Sequence, residues 1–267
     1  MSAPTHAFVH LRLHSEFSVQ DGLLRINEAV KLAAQQDQPA LALTDLSNLF
    51  GYIKFYKAAR QAGIKAICGT DVWISNPRQR DHATRLLILV RNNTGYLQLN
   101  SLITRAYLEN AWKGRPEINA DWLTPDTTSG LMALSGGLQG EIGTAIMAGA
   151  DFDTLDSLAQ SWQARFAKAN SVGFFIELQR DSQHINAPVN AYTRHAIALA
   201  QRTQLPVVAT HAIQFAYKTD YDAHEARVCI SAGEMLADTQ RIRRFSPDQY
   251  FKSTAEMQIL FADTPVL

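Results

Sequence analysis

Seven short apolar runs alternate with longer amphipathic stretches along most of the chain. The runs are Phe8–His14, Ala40–Thr44, Ala66–Ile74, Leu86–Val90, Leu131–Ser135, Gly173–Leu178 and Pro206–Thr210. They are rich in Val, Ile, Leu and Phe, which predicts strands covered on both faces, as in a parallel sheet. The intervening spacing predicts helices over Ile26–Gln36, Leu49–Ala62, Gly95–Glu109, Glu141–Ala148, Thr154–Ala169 and Ala187–Thr203. In the first, Ala29, Leu32 and Ala33 share a face; in the second, Ile53, Tyr56 and Lys57 do. Gly63 stands where a left-handed helix end is expected, and Asn93 or Thr94 where a helix start needs a cap. Alternation of this kind points to an α/β fold, either a β/α barrel or a doubly wound sheet. A barrel places its working face at the C-terminal strand ends. These are His14, Thr44 to Leu46, Asp71, Ser135 to Gly137, Leu178 to Asp181 and Thr210 to Gln214. Residues 216–267 break the rhythm, with helices expected at Ala223–Ala232 and Thr254–Phe261 around the polar link DTQRIRRFSPDQ. They read as a helical extension packed on a barrel of residues 1–215.

Composition narrows the classes. The 267 residues carry 25 Lys plus Arg and 25 Asp plus Glu, so a protein built to coat nucleic acid is disfavoured. Cys68 and Cys229 show neither zinc-ribbon spacing nor a disulfide framework, which fits a reducing cytoplasmic setting. The opening MSAPTHAFVH lacks the pattern of a signal peptide, and no apolar run approaches the ~20 residues of a membrane span.

Candidate chemistry begins at HLRLH. On a strand His10, Arg12 and His14 project together. A His-x-His pair there would clamp a metal, but Arg12 stands two before His14 and has no lone pair to give. His14 is expected to hydrogen-bond Asp21. Asp220, Asp222, His224 and Glu225 cluster in sequence without the H-E-x-x-H spacing, since position 228 is Val; helix capping is the expected role. Asp151 and Asp153 precede a helix and read as caps. Ser135-Gly136-Gly137 with Gly140 could cradle a phosphate, or simply turn a strand into a helix. The stretch 76–116 holds Arg78, Arg80, Arg85, Arg91, Arg105, Lys113 and Arg115 against Asp81 and Glu109. It reads as a solvated face, or as one that meets DNA or an acidic partner.

The runs FVHLRLHSEFSVQDGL, PALALTDLSNLFGYIKFYKAARQAGIKAICGTDVWI and LVRNNTGYLQLNSLITRAY, followed in order by GLMALSGGLQGEIG, FFIELQR, LPVVAT and DAHEARVCI, are specific in combination. Together they resemble the PHP (polymerase and histidinol phosphatase) domain that opens the alpha subunits of bacterial replicative DNA polymerase III. The resemblance spans essentially the whole chain. It implies a distorted seven-stranded β/α barrel, TIM-barrel-like, with a polymerase core beyond residue 267.

Metal-bearing members of that family use nine ligand positions around up to three divalent ions. Carried over, these positions fall on Arg12, His14, Asp21, Leu46, Asp71, Arg85, Gly137, Ala212 and Gln214. His14, Asp21 and Asp71 keep a donor; Arg12, Leu46, Arg85, Gly137, Ala212 and Gln214 do not. His82 and His211 lie near ligand positions as weak substitutes. A catalytic metal needs at least three placed ligands and an open position. The resemblance therefore implies a degenerate metal site, with no catalytic residue and no cofactor in this chain and Mg²⁺ serving the parent polymerase, a nucleotidyltransferase. It also implies a cytoplasmic role in DNA replication as a structural brace. The partners would be the proofreading 3′–5′ exonuclease subunit and the remainder of the alpha subunit, with DNA met only through the parent protein and no membrane. The rival expectation is a metal-dependent phosphoesterase, acting as a 3′–5′ exonuclease or a pyrophosphatase.

Overall fold

The computed structural model describes residues 8–19, 21–168, 171–180 and 188–264. They form two compact units: described residues 8–67 with 211–264, and 68–180 with 188–210.

In the first unit, α1 (Ile26–Gln35) buries Ile26, Ala29, Val30 and Ala33, an i, i+3, i+4, i+7 stripe. It packs beside α2 (Tyr52–Gln61) and β1 (Ala40–Leu43). In α2 the buried residues are Phe55 and Ala59, while Ile53 and Tyr56 face water. The expected Ile53–Tyr56–Lys57 face thus points outward: YIKFY is apolar on several sides, so spacing alone does not choose one. Gly63 ends α2 at φ 73°, as expected. Residues 216–264, the expected extension, supply α7 (Tyr221–Ala232) and α8 (Thr254–Leu260) to this unit.

The run expected as a first strand over Phe8–His14 is extended but forms no regular ladder. Ala42 N–H donates to the His10 carbonyl at 3.0 Å, and Thr44 N–H to the Leu13 carbonyl at 3.0 Å. Two residues on β1's side therefore answer three on the other. The Thr44 hydroxyl accepts the Leu13 N–H at 2.8 Å, filling the gap in the ladder. On its other flank, His14 N–H donates to the Ile213 carbonyl at 2.9 Å. Leu13, Leu41, Leu43, Phe55, Ile213 and Phe251 belong to the core of this unit.

The second unit is a mixed α/β layer. Its strands are β2 (Lys65–Ile74), β3 (Thr84–Val90), β4 (Ala111–Trp112), β5 (Arg115–Ile118), β6 (Leu131–Leu134), β7 (Phe174–Gln179) and β8 (Val207–Thr210). They lie in the order β4-β5-β2-β3-β6-β7-β8. The pairs β2·β5, β6·β7 and β7·β8 are parallel, whereas β3 runs antiparallel to both β2 and β6. The all-parallel expectation fails at β3 because residues 75–83 return the chain without a crossover helix. The hairpin β4–β5 was not foreseen. It turns on Lys113 at φ 49° and Gly114 at φ 78°, a two-residue turn whose lysine masks the usual Asn-Gly signature. The helices are α3 (Asn93–Glu109), α4 (Glu141–Met147), α5 (Phe152–Arg165) and α6 (Pro188–Thr203). The cap of α3 is Asn92, one residue before those expected, its side chain accepting Gly95 N–H at 3.0 Å. Asp151 caps α5 through Thr154 N–H at 2.8 Å, as expected.

Two predictions follow from this packing. Gly136 has φ 83°, and a Cβ there would lie 2.2 Å from the Arg85 carbonyl oxygen. Gly63, at φ 73°, meets nothing within 4 Å. Gly136→Ala is expected to cost about 3 kcal/mol in urea unfolding and Gly63→Ala about 1 kcal/mol. The second prediction concerns His10, whose Nε2 lies 2.7 Å from the Lys252 carbonyl. A carbonyl only accepts, so Nε2 carries a proton and donates it to this bond. Burial lowers its pKa from 6.5 to about 3, against the Lys252 hydrogen bond, which raises it. Below pH 6.5 the unfolded chain binds this proton first, so stability falls toward pH 3 by about 1.4 kcal/mol per pH unit for this group. His10→Gln should flatten that part of the acid limb in pH-dependent unfolding.

Candidate functional site

The first unit holds six of the nine ligand positions. His14 Nδ1 lies 2.9 Å from Asp21 Oδ1, both residues buried. Asp21 is reached through a tight turn in which Asp21 N–H and Gly22 N–H both donate to the Ser18 carbonyl. A Cβ on Gly22 would sit 2.0 Å from the Ser15 carbonyl oxygen, so the turn requires glycine. Arg12 is buried beside this pair in sequence, its carbonyl accepting Ile213 N–H. Leu46 is half-buried and offers only its backbone, donating N–H to the Ser18 hydroxyl at 2.8 Å. Gln214 is buried and Ala212 half-buried. Gln214's backbone donates to the Gln249 carbonyl and accepts from Leu23.

Asp45 falls within the expected strand-end set Thr44 to Leu46, but the sequence assigns it no role. Its carboxyl accepts Ser15 N–H at 2.6 Å, the Ser15 hydroxyl at 2.8 Å and the Ser18 hydroxyl at 2.7 Å. Burial pushes its pKa up, against these hydrogen bonds, which pull it down. The group thus ties residues 15–18 to the end of β1. Residues 220–225 do not converge. Asp220 accepts Tyr217 N–H at 2.9 Å, Glu225 pairs with Arg241 at 2.5 Å, and His224 Nε2 meets the Asp21 carbonyl at 2.7 Å. His211 Nε2 meets the Tyr250 carbonyl at 3.1 Å.

The second unit holds Asp71, Arg85 and Gly137. Asp71 lies on β2 and Arg85 opens β3, where Arg85 is the cross-strand partner of Trp73. The Arg85 guanidinium donates to Asp71 Oδ2 from Nη2 at 2.9 Å and from Nε at 3.3 Å. Its carbon lies 4.3 Å from the Trp73 ring centroid. Arg115 stacks on the same ring at 4.8 Å and donates to Glu117 Oε1 at 2.6 Å. Arg80 reaches Glu117 Oε2 at 3.2 Å. Trp73 and Glu117 are themselves cross-strand partners. One face of the sheet thus carries a continuous row of guanidinium, indole and carboxylate groups, with Asp71 and Glu117 fully buried. Glu117 was missed because RPEI is too short to read as a strand from the sequence.

Gly137 has φ 58°, and a Cβ there would meet the Gln179 side chain at 2.9 Å. The possible phosphate cradle at Ser135–Gly137 is corrected by Glu177, a second missed residue. Its Oε2 accepts Gly136 N–H at 3.0 Å, and its Oε1 accepts the Thr210 hydroxyl at 2.5 Å and Gln179 Nε2 at 3.0 Å. A buried carboxylate already uses the turn's N–H, and its charge repels a phosphate. The signal was a single Glu inside the apolar strand FFIELQ. His82 is exposed in the turn 79–82. Among the described residues, no group of three or more His, Cys, Asp and Glu side chains is arranged to hold a metal ion. No helix among them is long and apolar enough to cross a membrane.

Comparison with known proteins agrees with this architecture. A PHP domain family model matches residues 10–181. The chain is 41% identical over 266 residues to the DNA polymerase III subunit alpha of Pseudomonas aeruginosa, covering 98% of this chain and 22% of that protein. It is 41% identical over 265 residues to that of Escherichia coli, again covering 22% of the relative, at its N-terminal part. Among solved structures, an amidohydrolase from Chromobacterium violaceum aligns at TM-score 0.52 and 14% identity, over 82% of this chain and 96% of that one. A candidate metal-dependent phosphoesterase from Bifidobacterium adolescentis aligns at TM-score 0.50 and 11% identity, over 76% and 86%. These likenesses show a mixed α/β, PHP-like fold. The chain belongs to the PHP domain family.

Proposed function

We propose that this chain is a non-catalytic PHP domain of a replicative polymerase alpha subunit, acting as a structural brace and a docking platform for the proofreading 3′–5′ exonuclease subunit. The setting is cytoplasmic DNA replication. Polymerisation, with Mg²⁺ and deoxynucleotides, would belong to the remainder of the alpha subunit, since this chain spans about a fifth of its polymerase relatives.

The observation that carries this reading is the Arg85–Asp71 bond at 2.9 Å. A guanidinium on the chain supplies the positive charge that a bound ion would supply, and it holds Oδ2 of the carboxylate that would ligate one. Arg12, the other arginine at a ligand position, likewise has no lone pair. In the first unit, His14 and Asp21 offer two donors, and Leu46 and Ala212 offer no polar side chain. A divalent cluster does not fit either donor set.

The reading is tested by metal analysis of the purified chain alongside hydrolysis of single-stranded DNA and pyrophosphate. No stoichiometric Zn or Mn and no chelator-sensitive hydrolysis is expected; the opposite result would establish the phosphoesterase alternative. Binding of the exonuclease subunit, followed by calorimetry, tests the docking role, and absence of binding removes it.

Asp71 and Arg85 supply a separate stability test. Arg85→Met takes the guanidinium from a buried carboxylate and is expected to cost about 3–5 kcal/mol. The double variant Asp71→Leu with Arg85→Met should recover most of that loss in urea unfolding. A double variant no more stable than Arg85→Met would show that the pair is not what Arg85 serves.

A further inference from the structure

The basic stretch 76–116 is largely neutralised within the second unit. Lys113 sits on Asp81, Arg105 on Glu109, Arg85 on Asp71, and Arg80 and Arg115 on Glu117. Arg91 differs. It follows β3 directly, and its guanidinium rests on the Ser171 hydroxyl at 2.8 Å. Its backbone N–H donates to the Gly130 carbonyl at 2.9 Å. Beside it opens a surface cavity of about 570 Å³, lined by Arg91, Asn92, Ser129, Ala167, Lys168 and Ser171. A hollow of about 340 Å³ shares Ala167, Lys168 and Ser171. Both lie at the sheet edge where β3 ends and β6 and β7 begin, opposite the edge that carries Asp71 and Glu177. Among the described residues, no carboxylate lines either one.

The hydrogen bonds around this cavity consume acceptors and leave donors. Asn92 Oδ1 accepts Gly95 N–H, and its amide NH₂ can only donate. The Ser171 oxygen accepts from Arg91, and the Ser129 oxygen accepts from Gln98 Nε2 at 2.8 Å, so each hydroxyl proton is left to donate elsewhere. Lys168 Nζ donates to the Leu131 carbonyl. The remaining N–H groups of Arg91 and Lys168 complete a rim of donors. Burial, with repulsion from Arg91, lowers the Lys168 pKa to about 8. An anion would relieve that repulsion. The first turn of the 17-residue α3, which Asn92 caps, adds its partial positive charge.

We propose that this cavity binds a small phosphate-class oxyanion, either free or as the phosphate chain of a nucleotide. Arg91, Lys168, Asn92, Ser129 and Ser171 offer the rim several donors for phosphate oxygens, and among the described residues no carboxylate lines the cavity. The site is separate from the family's ligand positions and independent of whether those bind metal.

The test is competitive acetylation of lysines by acetic anhydride at pH 8, read by mass spectrometry, with the exposed Lys65 as internal reference. Inorganic phosphate, a deoxynucleoside triphosphate in EDTA, and a single-stranded oligonucleotide without a terminal phosphate form the three arms. Phosphate or the triphosphate should slow labelling of Lys168 saturably, while Lys65 is unchanged. Equal potency of the two identifies free phosphate as the ligand, and tighter protection by the triphosphate identifies a nucleotide. Asn92→Asp keeps the helix cap but puts a negative charge on the rim. It should weaken protection by about tenfold or more without altering the circular dichroism spectrum. The proposal is overturned if neither small anion protects Lys168 at about 10 mM, if Asn92→Asp leaves protection intact, or if the oligonucleotide alone protects.

Discussion

A carboxylate taken out of water must meet either a fixed positive charge or a full set of donors, and this constraint shapes both units. Asp71 and Glu117 meet guanidinium groups. Asp45 and Glu177 meet hydroxyls and backbone N–H groups. Each solution ties a strand to a neighbouring strand or turn. Arg85 joins the start of β3 to β2, Glu177 joins β7 to the turn after β6, and Asp45 joins β1 to residues 15–18. The Trp73 ring, covered by Arg85 and Arg115, gives the guanidinium row an apolar backing while leaving the donors aimed at carboxylates.

Such a row sets positive charge against buried carboxylates without the chemistry of a metal ion. A divalent metal keeps an open coordination position, where it can polarise a phosphate or activate water. A guanidinium already paired with a buried carboxylate has no such position, and it does not lower the pKa of water. Burial also argues against reading the pairs as a source of net stability, because desolvation offsets most of their attraction. Their role is positional: removing one partner is costly, while removing both is tolerable.

Much of the fold is legible in the sequence because it is written in burial. The apolar runs from Ala40 onward become strands, and Gly63 and Asp151 mark helix ends by local backbone chemistry. What escapes is whatever depends on partners distant in sequence. The direction of β3 is set by the absence of a crossover helix, not by its own residues. The irregularity at His10–His14 comes from one extra residue opposite β1, with a threonine hydroxyl filling the ladder. Of the site, the His14–Asp21 contact could be read from the sequence. The partners of Glu177, Glu117 and Asp45 could not, because an acid in a short segment shows that a partner exists without naming it.

The most direct measurement is the melting temperature of the purified chain, exhaustively dialysed against chelator and then titrated with Mn²⁺ and Zn²⁺. An ion bound to the native state at a hundred times its dissociation constant stabilises by about 2.7 kcal/mol, or about 5 °C or more for a chain of this size. If guanidinium groups hold these carboxylates in place of ions, neither metal raises the melting temperature. A saturable rise of that size, lost in Asp71→Asn or His14→Ala, would contradict the substitution of charge on which the rest depends.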